Sequence, residues 1–544
     1  MASSALATIR PAALLRQVKP NWVDRAVSLF SPAAGFKRLQ FRRALAVAEA
    51  FNYEGAVRGR RTGGWITSNS DANRETEGSM VWLRDRARDL VRNNPYAAKA
   101  LSELVGNQIG TGIMPRANTG NEKLDALVNE KFAKWAESSD ADGQFDFYGL
   151  QWQAARAVAE SGECIVRFRQ RRLSDGLDVP FQLQLLESDY LDHNKTMSLD
   201  GGTIIQGVQF DKIGRRAAYW LFGNHPGCLT LTNWQAGFIS KPVPAESVLH
   251  VYKKDRPGQV RGVTWFAPVM LKMRDLDEYE DAELVRKKIE ACFAAFVVTP
   301  DGVFSNLTEN STDPVTNEVT EFLEPGVIKR LKPGEDVRFG SPSNSAGYKD
   351  YRATQLGSIA AGLTLPYELL TGDMGAVNYS SFRGGMLGFR NTIEAYRWLC
   401  LIPQLLVPIW KRFIEMAFIA GEIPELNYGV RFTAPKFESV DPLKDAMAEK
   451  VSLRTGALTW PSMVASHGED PEGQFGEIVE WNKKFDDAKV ILDGDPRRTT
   501  DRGQINDPAN TNAKVPANGG VAKTAPVAKQ VVPKQTSGGS GGSN

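Results

Sequence analysis

The sequence predicts an α+β protein, and three observations carry that prediction. Between residues 148 and 264, short segments alternate apolar and polar side chains and stop at turn residues, as antiparallel strands do. From Phe266 onward nothing breaks a helix through residue 293. A second helical pattern opens near Tyr348, so the first rod is half of a hairpin whose arms are separated by an excursion, residues 294–347.

The first rod organises the chain. At ~1.5 Å of rise per residue it is roughly 40 Å long. Phe266, Val269, Met273, Leu276 and Tyr279 step by three or four along one edge, while Asp275, Asp277, Glu278, Glu280 and Asp281 occupy the other faces. Beyond Tyr279 the stripe gives way to Arg286, Lys287, Lys288 and Glu290. The far half therefore has little to bury inside its own chain, and the expected cover is a neighbouring subunit.

Composition narrows the function classes. At 544 residues, 42% hydrophobic and 9% aromatic, the chain can form several cores. Lys plus Arg number 66 and Asp plus Glu 64, a net charge of +2, which argues against tight sequence-specific DNA binding. Cys164, Cys228, Cys292 and Cys400 form no CxxC pair, and His193, His225, His250 and His467 lack ligand spacing, so no metal, cofactor or disulfide framework is expected. No run of eighteen apolar residues occurs, so no membrane span is expected.

In chain order, residues 1–80 read as an arm that folds only against something else, with a basic loop, VRGRRTGGWI, at 57–66. From Val81 two helices meet at Asn93-Asn94-Pro95, where Asn94 suits an N-cap and Pro95 a first helical position. Arg84, Arg86, Arg88 and Arg92 are expected to pair with Asp85 and Asp89. A helix over 152–161 stops at Gly162. Strands follow at 163–171, 180–187, 202–211, 216–222 and 243–253. After the second rod, residues 366–385 form a flexible Gly-rich loop, and residues 386–421 a helix that Pro403 and Pro408 should kink or break. Its face of Trp398, Leu399, Leu401, Leu405, Trp410 and Phe413 is expected to be buried. A strand, LNYGVRFTAP, and a helical region over 442–492 complete the folded part; residues 494–544 lack aromatics and read as disordered.

Nucleotide chemistry finds no signature. There is no GxxxxGK[ST], so no cradle for hydrolysing a nucleoside triphosphate. Gly110-Thr111-Gly112 ends a helix instead of opening one, and the GxSxG around Ser540 lies in the low-complexity tail.

Several phrases together resemble one family, the lambda-type portal proteins of tailed bacteriophages. They are YEGAVRGRRTGGW (53–65), RARDLVRNNPYAAKALSELVGNQIGTGI (86–113), SGECIVRF (161–168), HVYKKDRPGQVRGVTWFAPVM (250–270), YEDAEL (279–284), PGEDVRF (333–339), IAAGLTLPYELLTGDMGAVNYSSFRGGML (359–387) and ALTWPSMVASHGEDPE (457–472). The resemblance implies a homo-oligomeric ring, typically of twelve, at one capsid vertex, through which DNA is packaged and ejected. Over about residues 20–495 it implies, after the N-terminal arm (1–80), a wing (81–264), first stem helix (265–293), clip (294–347), second stem helix (348–370), tunnel loop (371–383), kinked helix and wing closure (384–437) and crown (438–493); the disordered tail (494–544) carries no family signal. The tunnel loop would face double-stranded DNA, without sequence preference, through Met374, Asn378, Tyr379, Ser380, Ser381 and Arg383. Met273, Leu276, Tyr279, Arg286 and Lys287 would form the stem interface between subunits. Implied partners are the large terminase, head–tail connectors, and capsid and scaffold proteins, in a virion assembled in the bacterial cytoplasm.

Near-neutral charge suits such a role. Each cation pairing with phosphate strengthens holding, so a conduit through which DNA slides cannot be uniformly basic. The competing reading is a metal-dependent nucleic-acid-processing enzyme using carboxylates such as Asp275, Asp281 and Glu283.

Overall fold

Alternating strands, long amphipathic helices and paired short strands all form, and the chain is α+β. The computed structural model describes residues 21–50, 64, 67–228, 239–291, 295–298, 310–312, 319–321, 336–339, 347–375, 377–439, 441–490, 492 and 497, with side chains omitted at 42–50, at 289–291 and in the strands between 295 and 339. The predicted tail, apart from residue 497, and most of the predicted clip lie outside the described residues. Two compact units divide the chain: residues 1–108 with 130–426, and residues 109–129 with 427–544. Among the described residues no helix is long and apolar enough to cross a membrane.

In the first unit, Asn94 accepts a hydrogen bond from the Ala97 amide at 3.0 Å, and its neighbour Pro95 needs no amide partner. Met80–Asn93 and Pro95–Ile109 are therefore separate helices, as the sequence predicts. Phe147–Ser161 starts earlier than expected because Asp146 caps it, accepting from the Gly149 amide at 2.7 Å; Gly162, at φ +93°, ends it. Strand β2 (Glu163–Gln170) follows at once, antiparallel to β3 (Phe181–Glu187) on one side and β9 (Val248–Tyr252) on the other. It is the central strand of its sheet.

Two predicted strands turn out to be pairs. Residues 202–211 fold back on themselves as β5 (Gly202–Ile205) and β6 (Val208–Asp211), because Gln206 and Gly207 take φ values of +48° and +85° and close a two-residue turn. Residues 243–253 are interrupted by a tight turn at Ala245–Ser247, which moves the chain from β8 (Lys241–Pro244) to β9. The second sheet runs β4-β5-β6-β7-β8, with β4 at Met197–Leu199 and β7 at Arg216–Leu221. Ile165, Val248, Val208, Tyr219 and Leu221 pack together between the sheets.

The region predicted to kink is continuous. Pro403 lacks an amide donor, and the chain absorbs the lost bond as a π-helical stretch, Arg397–Leu406, between Tyr379–Tyr396 and Val407–Ile419. Leu401, Leu405, Trp410 and Phe413 are buried as expected, and Trp410 and Phe413 join Phe132 and Trp135 in an aromatic cluster. Trp398 and Leu399 are not: widening the helix turns them outward, leaving them 45% and 79% exposed.

Ahead of these elements, Trp22–Phe30 and Pro32–Ala50 form a helical pair. Inside the excursion, β10 (Ala295–Val298) pairs with β13 (Asp336–Phe339) and β11 (Asn310–Thr312) with β12 (Val319–Glu321). In the second unit, β1 (Met114–Ala117) pairs with β14 (Val430–Thr433). The region predicted as helical over 442–492 is three helices, Pro442–Arg454, Trp460–Ser466 and Pro471–Ala488; Gly456 and Gly468 sit at positive φ in the breaks.

Candidate functional site

The functional geometry begins where the sheet meets the long helix. Glu163 and Arg261 are 1% and 0% exposed. The Arg261 Nε donates to both carboxylate oxygens, at 2.9 and 3.0 Å, and its Nη2 also binds the carboxylate. The Gly262 amide adds a third donor at 3.0 Å, and His250 Nε2 a fourth at 2.7 Å. Burial opposes ionisation of Glu163, but the Arg261 charge and these donors hold its carboxyl well below the usual range.

Burial pushes His250 down to about 4 despite Glu163. Its ring is neutral with the proton on Nε2, because Arg216 Nη1, which can only donate, faces Nδ1 at 3.1 Å. Arg216 also reaches the hydroxyls of Tyr219 and Tyr252, at 2.9 and 2.7 Å.

Backbone contact completes the joint. A Cβ on Gly262 would lie 2.1 Å from the Gly162 carbonyl oxygen, so the two glycines permit an approach no other residue allows. Thr264 Oγ1 and the Trp265 amide then bond the Ala159 carbonyl, at 3.3 and 3.1 Å. Sequence reasoning quoted both phrases but singled out none of Glu163, His250 and Arg261. Their signal was charge out of place: a glutamate opening an apolar strand and an arginine between Val260 and Gly262.

From this joint Met270–Ala291 rises as the first rod, four residues later than expected, and Tyr348–Gly362 returns beside it. The hairpin is antiparallel. Val269 packs on Gly362, Lys272 bonds Ser358, Tyr279 stacks its edge on Tyr351 at 4.8 Å, and Arg352 pairs with Glu280 at 3.1 Å. Arg352 also donates to the Tyr96 hydroxyl at 2.7 Å.

Met273 and Leu276 are 1% and 3% exposed in the single chain, so the apolar stripe packs on this chain's own elements and offers no open surface. Tyr279 and Arg286 are half-buried, Arg286 in an ion pair with Glu283, and Lys287 is exposed. Among the described residues of this rod, the large apolar side chains left facing outward are Leu271, Leu284 and Val285, at 71%, 52% and 53% exposure.

The predicted tunnel loop is also shorter than expected. Gly372, at φ +74°, ends the short helix Tyr367–Thr371; Asp373 then accepts from the Gly375 amide at 2.9 Å. Asn378 caps the next helix, accepting from the Ser381 amide at 2.9 Å. Met374 and Asn378 therefore lie in the connection, while Tyr379, Ser380, Ser381 and Arg383 lie on the opening turns of Tyr379–Tyr396. Met374, Asn378, Tyr379, Ser380 and Ser381 are exposed and Arg383 is half-buried. The far end of this segment is anchored: Arg397, 2% exposed, donates to the carbonyls of Asn107 and Gln108 at 2.8 and 2.7 Å, satisfying the end of Pro95–Ile109.

The carboxylates of the competing reading are not brought together. Asp275 and Asp281 are exposed and Glu283 is held by Arg286. Among the described residues, ligand atoms close enough for a metal ion occur at Glu187, Asp189 and His225 instead. There Arg88 already spans both carboxylates, at 3.0 and 2.7 Å, and Arg84 reaches Asp189 at 3.0 Å. Arg84 keeps the expected pairing with Asp85, at 3.8 Å, but its shorter contact to Asp189, and the Arg88 contacts to Glu187 and Asp189, come from the end of β3 and the turn after it, which no helical spacing reveals.

A model of the family described as phage portal protein, lambda family, matches residues 58–397. The chain is 26% identical over 428 residues to a probable portal protein of Halomonas phage phiHAP-1, covering 74% of this chain and 80% of the relative. It is 23% identical over 442 residues to portal protein B of Escherichia phage lambda, covering 72% and 82%. Among solved structures it is similar to a chain of the virion of a native gene transfer agent particle, at 14% identity and a TM-score of 0.41, covering 72% of this chain and 94% of that one.

Proposed function

Because this chain belongs to the lambda family of phage portal proteins, we propose that copies of it close a dodecameric ring at one capsid vertex, and that this ring is the channel for DNA entering and leaving the head. The observation that carries the reading is the family match across 58–397, a span that holds the two larger sheets, the hairpin and the loop-capped helix. The sheets act as the wing, the paired rods as the stem, residues 294–347 as the clip and the C-terminal helices as the crown. In the ring, outward-facing Leu271, Leu284 and Val285, with Tyr279, Arg286 and Lys287, meet the neighbouring stem.

Met374, Asn378, Tyr379, Ser380, Ser381 and Arg383 face the bore. Small polar groups with one cation among them give weak contact that ignores base sequence, which suits a polyanion that must slide. The clip takes the large terminase during packaging and connector proteins afterwards, and the outer wing meets capsid and scaffold proteins. The ring assembles in the bacterial cytoplasm and ends at the head–tail junction of the virion. It performs no catalysis; hydrolysis belongs to the docked motor.

Electron microscopy of the purified protein tests the reading. Rings with a central hole are expected; a monodisperse monomer at micromolar concentration would overturn it.

A further inference from the structure

One face of the central strand carries cations that have no counter-charge among the described residues. Side chains two apart on a strand share a face, so Arg167 and Arg169 of β2 project together, about 7 Å apart along the strand. Arg171, whose amide still bonds the Pro180 carbonyl at 2.9 Å, follows them on that face. All three are half-buried. Arg171 is steadied by a neutral group: its Nε donates to Gln182 Oε1 at 2.8 Å, and Gln182 Nε2 is spent on the Ser138 and Asp140 carbonyls, both at 2.8 Å. Arg167, Arg169 and Gln184, the residue directly opposite Arg167 on β3, have no side-chain hydrogen bond or ion pair among the described residues.

Other half-buried arginines of this unit are paired, Arg88 with Glu187 and Asp189 and Arg352 with Glu280. Burial and the adjacent Arg169 charge push the Arg167 guanidinium below its ordinary value. Two like charges held side by side and partly desolvated cost stability, so this face is built for an anion.

The acids nearby are already engaged. Arg169, Arg171 and Gln184 line a cleft of about 520 Å3 that also holds Asp140, Glu187 and His225. Asp140 accepts from the amides of Asp142, Gln144 and Phe145, at 3.0, 2.9 and 3.0 Å, and Glu187 is taken by Arg88 and His225, at 3.0 and 3.2 Å. Asp142 is exposed and pairs with none of the three arginines. In the connection between β2 and β3, Asp175 accepts from the Arg172 amide and Asp178 pairs with Lys134 at 2.6 Å. Residues 229–238, which lie between β7 and β8 in the chain, contain no Asp or Glu.

We propose that Arg167, Arg169 and Gln184 form an oxyanion site that takes a phosphate group, with Arg171 as its outer rung. One guanidinium fork satisfies both oxygens of a carboxylate, whereas a phosphate presents at least three acceptor oxygens and, when not esterified twice, carries about two negative charges. It can therefore accept from two forks and an amide at once and neutralise both cations. Inorganic phosphate and the phosphodiesters of a nucleic acid share this chemistry. The site belongs to β2 and β3, not to the segment 371–383, and does not rest on the ring reading.

Thermal unfolding of the full chain tests it, with inorganic phosphate titrated at constant ionic strength. The parent midpoint is expected to rise by about 2–4 °C. The rise is lost when Arg167→Gln and Arg169→Gln are combined, and kept in Arg215→Gln, which removes a charge from an exposed turn. Without phosphate the double variant should unfold no earlier than the parent, because it relieves a repulsion. A parent that phosphate does not stabilise overturns the site, as does a rise that survives in the double variant, which marks an adventitious ion only. An equal rise with acetate assigns a carboxylate instead, and earlier unfolding of the double variant without phosphate assigns these side chains a partner within this chain; each overturns the proposal. Where the phosphate rise is lost as expected, fluorescence anisotropy of a labelled DNA duplex names the source. A salt slope smaller by about 2 in the double variant assigns phosphodiesters, and an unchanged slope assigns free phosphate.

Discussion

Glu163, at the first position of the central strand, and Arg261, midway along the loop leading to the long helix, form a buried bidentate ion pair. The pair ties the sheet to the base of the rod. Removing one partner leaves a buried charge uncompensated, so Arg261→Gln and Glu163→Gln should each cost about 3–5 kcal/mol. Combining the two, Glu163→Gln with Arg261→Gln, should cost clearly less than the sum. Urea unfolding of the four proteins measures this, and additive losses contradict a coupled pair.

The same joint makes stability pH-dependent. His250 titrates at about 4 when folded and near ~6.5 when unfolded, so between these values the unfolded chain binds more protons. Stability is full above ~6.5 and falls as pH drops towards 4. The depressed Glu163 carboxyl acts in the same direction at lower pH, because the unfolded side chain protonates first. The charged groups facing His250 are Glu163, Arg216 and Arg261. The unfolding midpoint should fall between pH 7.5 and 5, and His250→Gln should flatten that interval. A midpoint equally steep in His250→Gln assigns the acid limb elsewhere.

Close backbone approach fixes how the rod leaves the sheet. In Gly262→Ala the new methyl would fall 2.1 Å from the Gly162 carbonyl oxygen, and the obstacle is main chain, not a movable side-chain tip. Overpacking of this kind costs on the order of 1–3 kcal/mol and shifts backbone. Gly384→Ala, where nothing lies within 4 Å, should be neutral or slightly stabilising because alanine favours the helix. Comparing the two thermal midpoints checks whether space or conformation decides.

Two kinds of apolar residue on the rod should respond oppositely to charge. Met273→Asp puts an unpaired carboxylate at a site 1% exposed and should unfold the chain or lower its stability by about 3 kcal/mol or more. Leu284→Asp alters a side chain that is 52% exposed, so the monomer should unfold at its former midpoint while rings fail to close. Sedimentation and circular dichroism on both variants separate the outcomes; intact rings from Leu284→Asp remove that face from the interface.

How much of this was legible beforehand depended on whether the signal was local. Asn94-Pro95 and the unbroken rod announced themselves through capping and periodicity; the first is found where expected, and the rod is found with its start four residues later. The hairpin at Gln206-Gly207 was hidden because glutamine at positive φ is rare, so residues 202–211 read as one strand. The shortest contacts of Arg84 and Arg88 are to residues about a hundred positions away, where helix spacing suggested only the nearer Asp85 and Asp89. The stripe through Met273 and Leu276 was read correctly as apolar; what periodicity could not say was whether its cover belongs to the same chain. For Tyr379, Ser380 and Ser381, the glycines at 384 and 385 masked a helix that Asn378 caps.

That cap divides the predicted DNA-facing segment into two mechanically different parts, and they should fail differently. Residues 373–377 connect Gly372, which ends one helix, to Asn378, which begins the next. Deleting them keeps both caps, so rings should form normally while DNA packaged per particle falls if, as proposed, Met374 and its neighbours line the bore. Asn378→Ala instead removes the acceptor for the Ser381 amide and should cost about 1 kcal/mol at the helix start, leaving the connection in place. If contact with the sliding backbone is made by the connection, the deletion is defective and Asn378→Ala nearly normal. If it is made by the helix's opening turn, where Tyr379, Ser380 and Ser381 stand, the order reverses. Packaging assays on intact rings of both variants, with nuclease-protected DNA as the readout, decide between them; full packaging by both removes the segment from the channel's working surface.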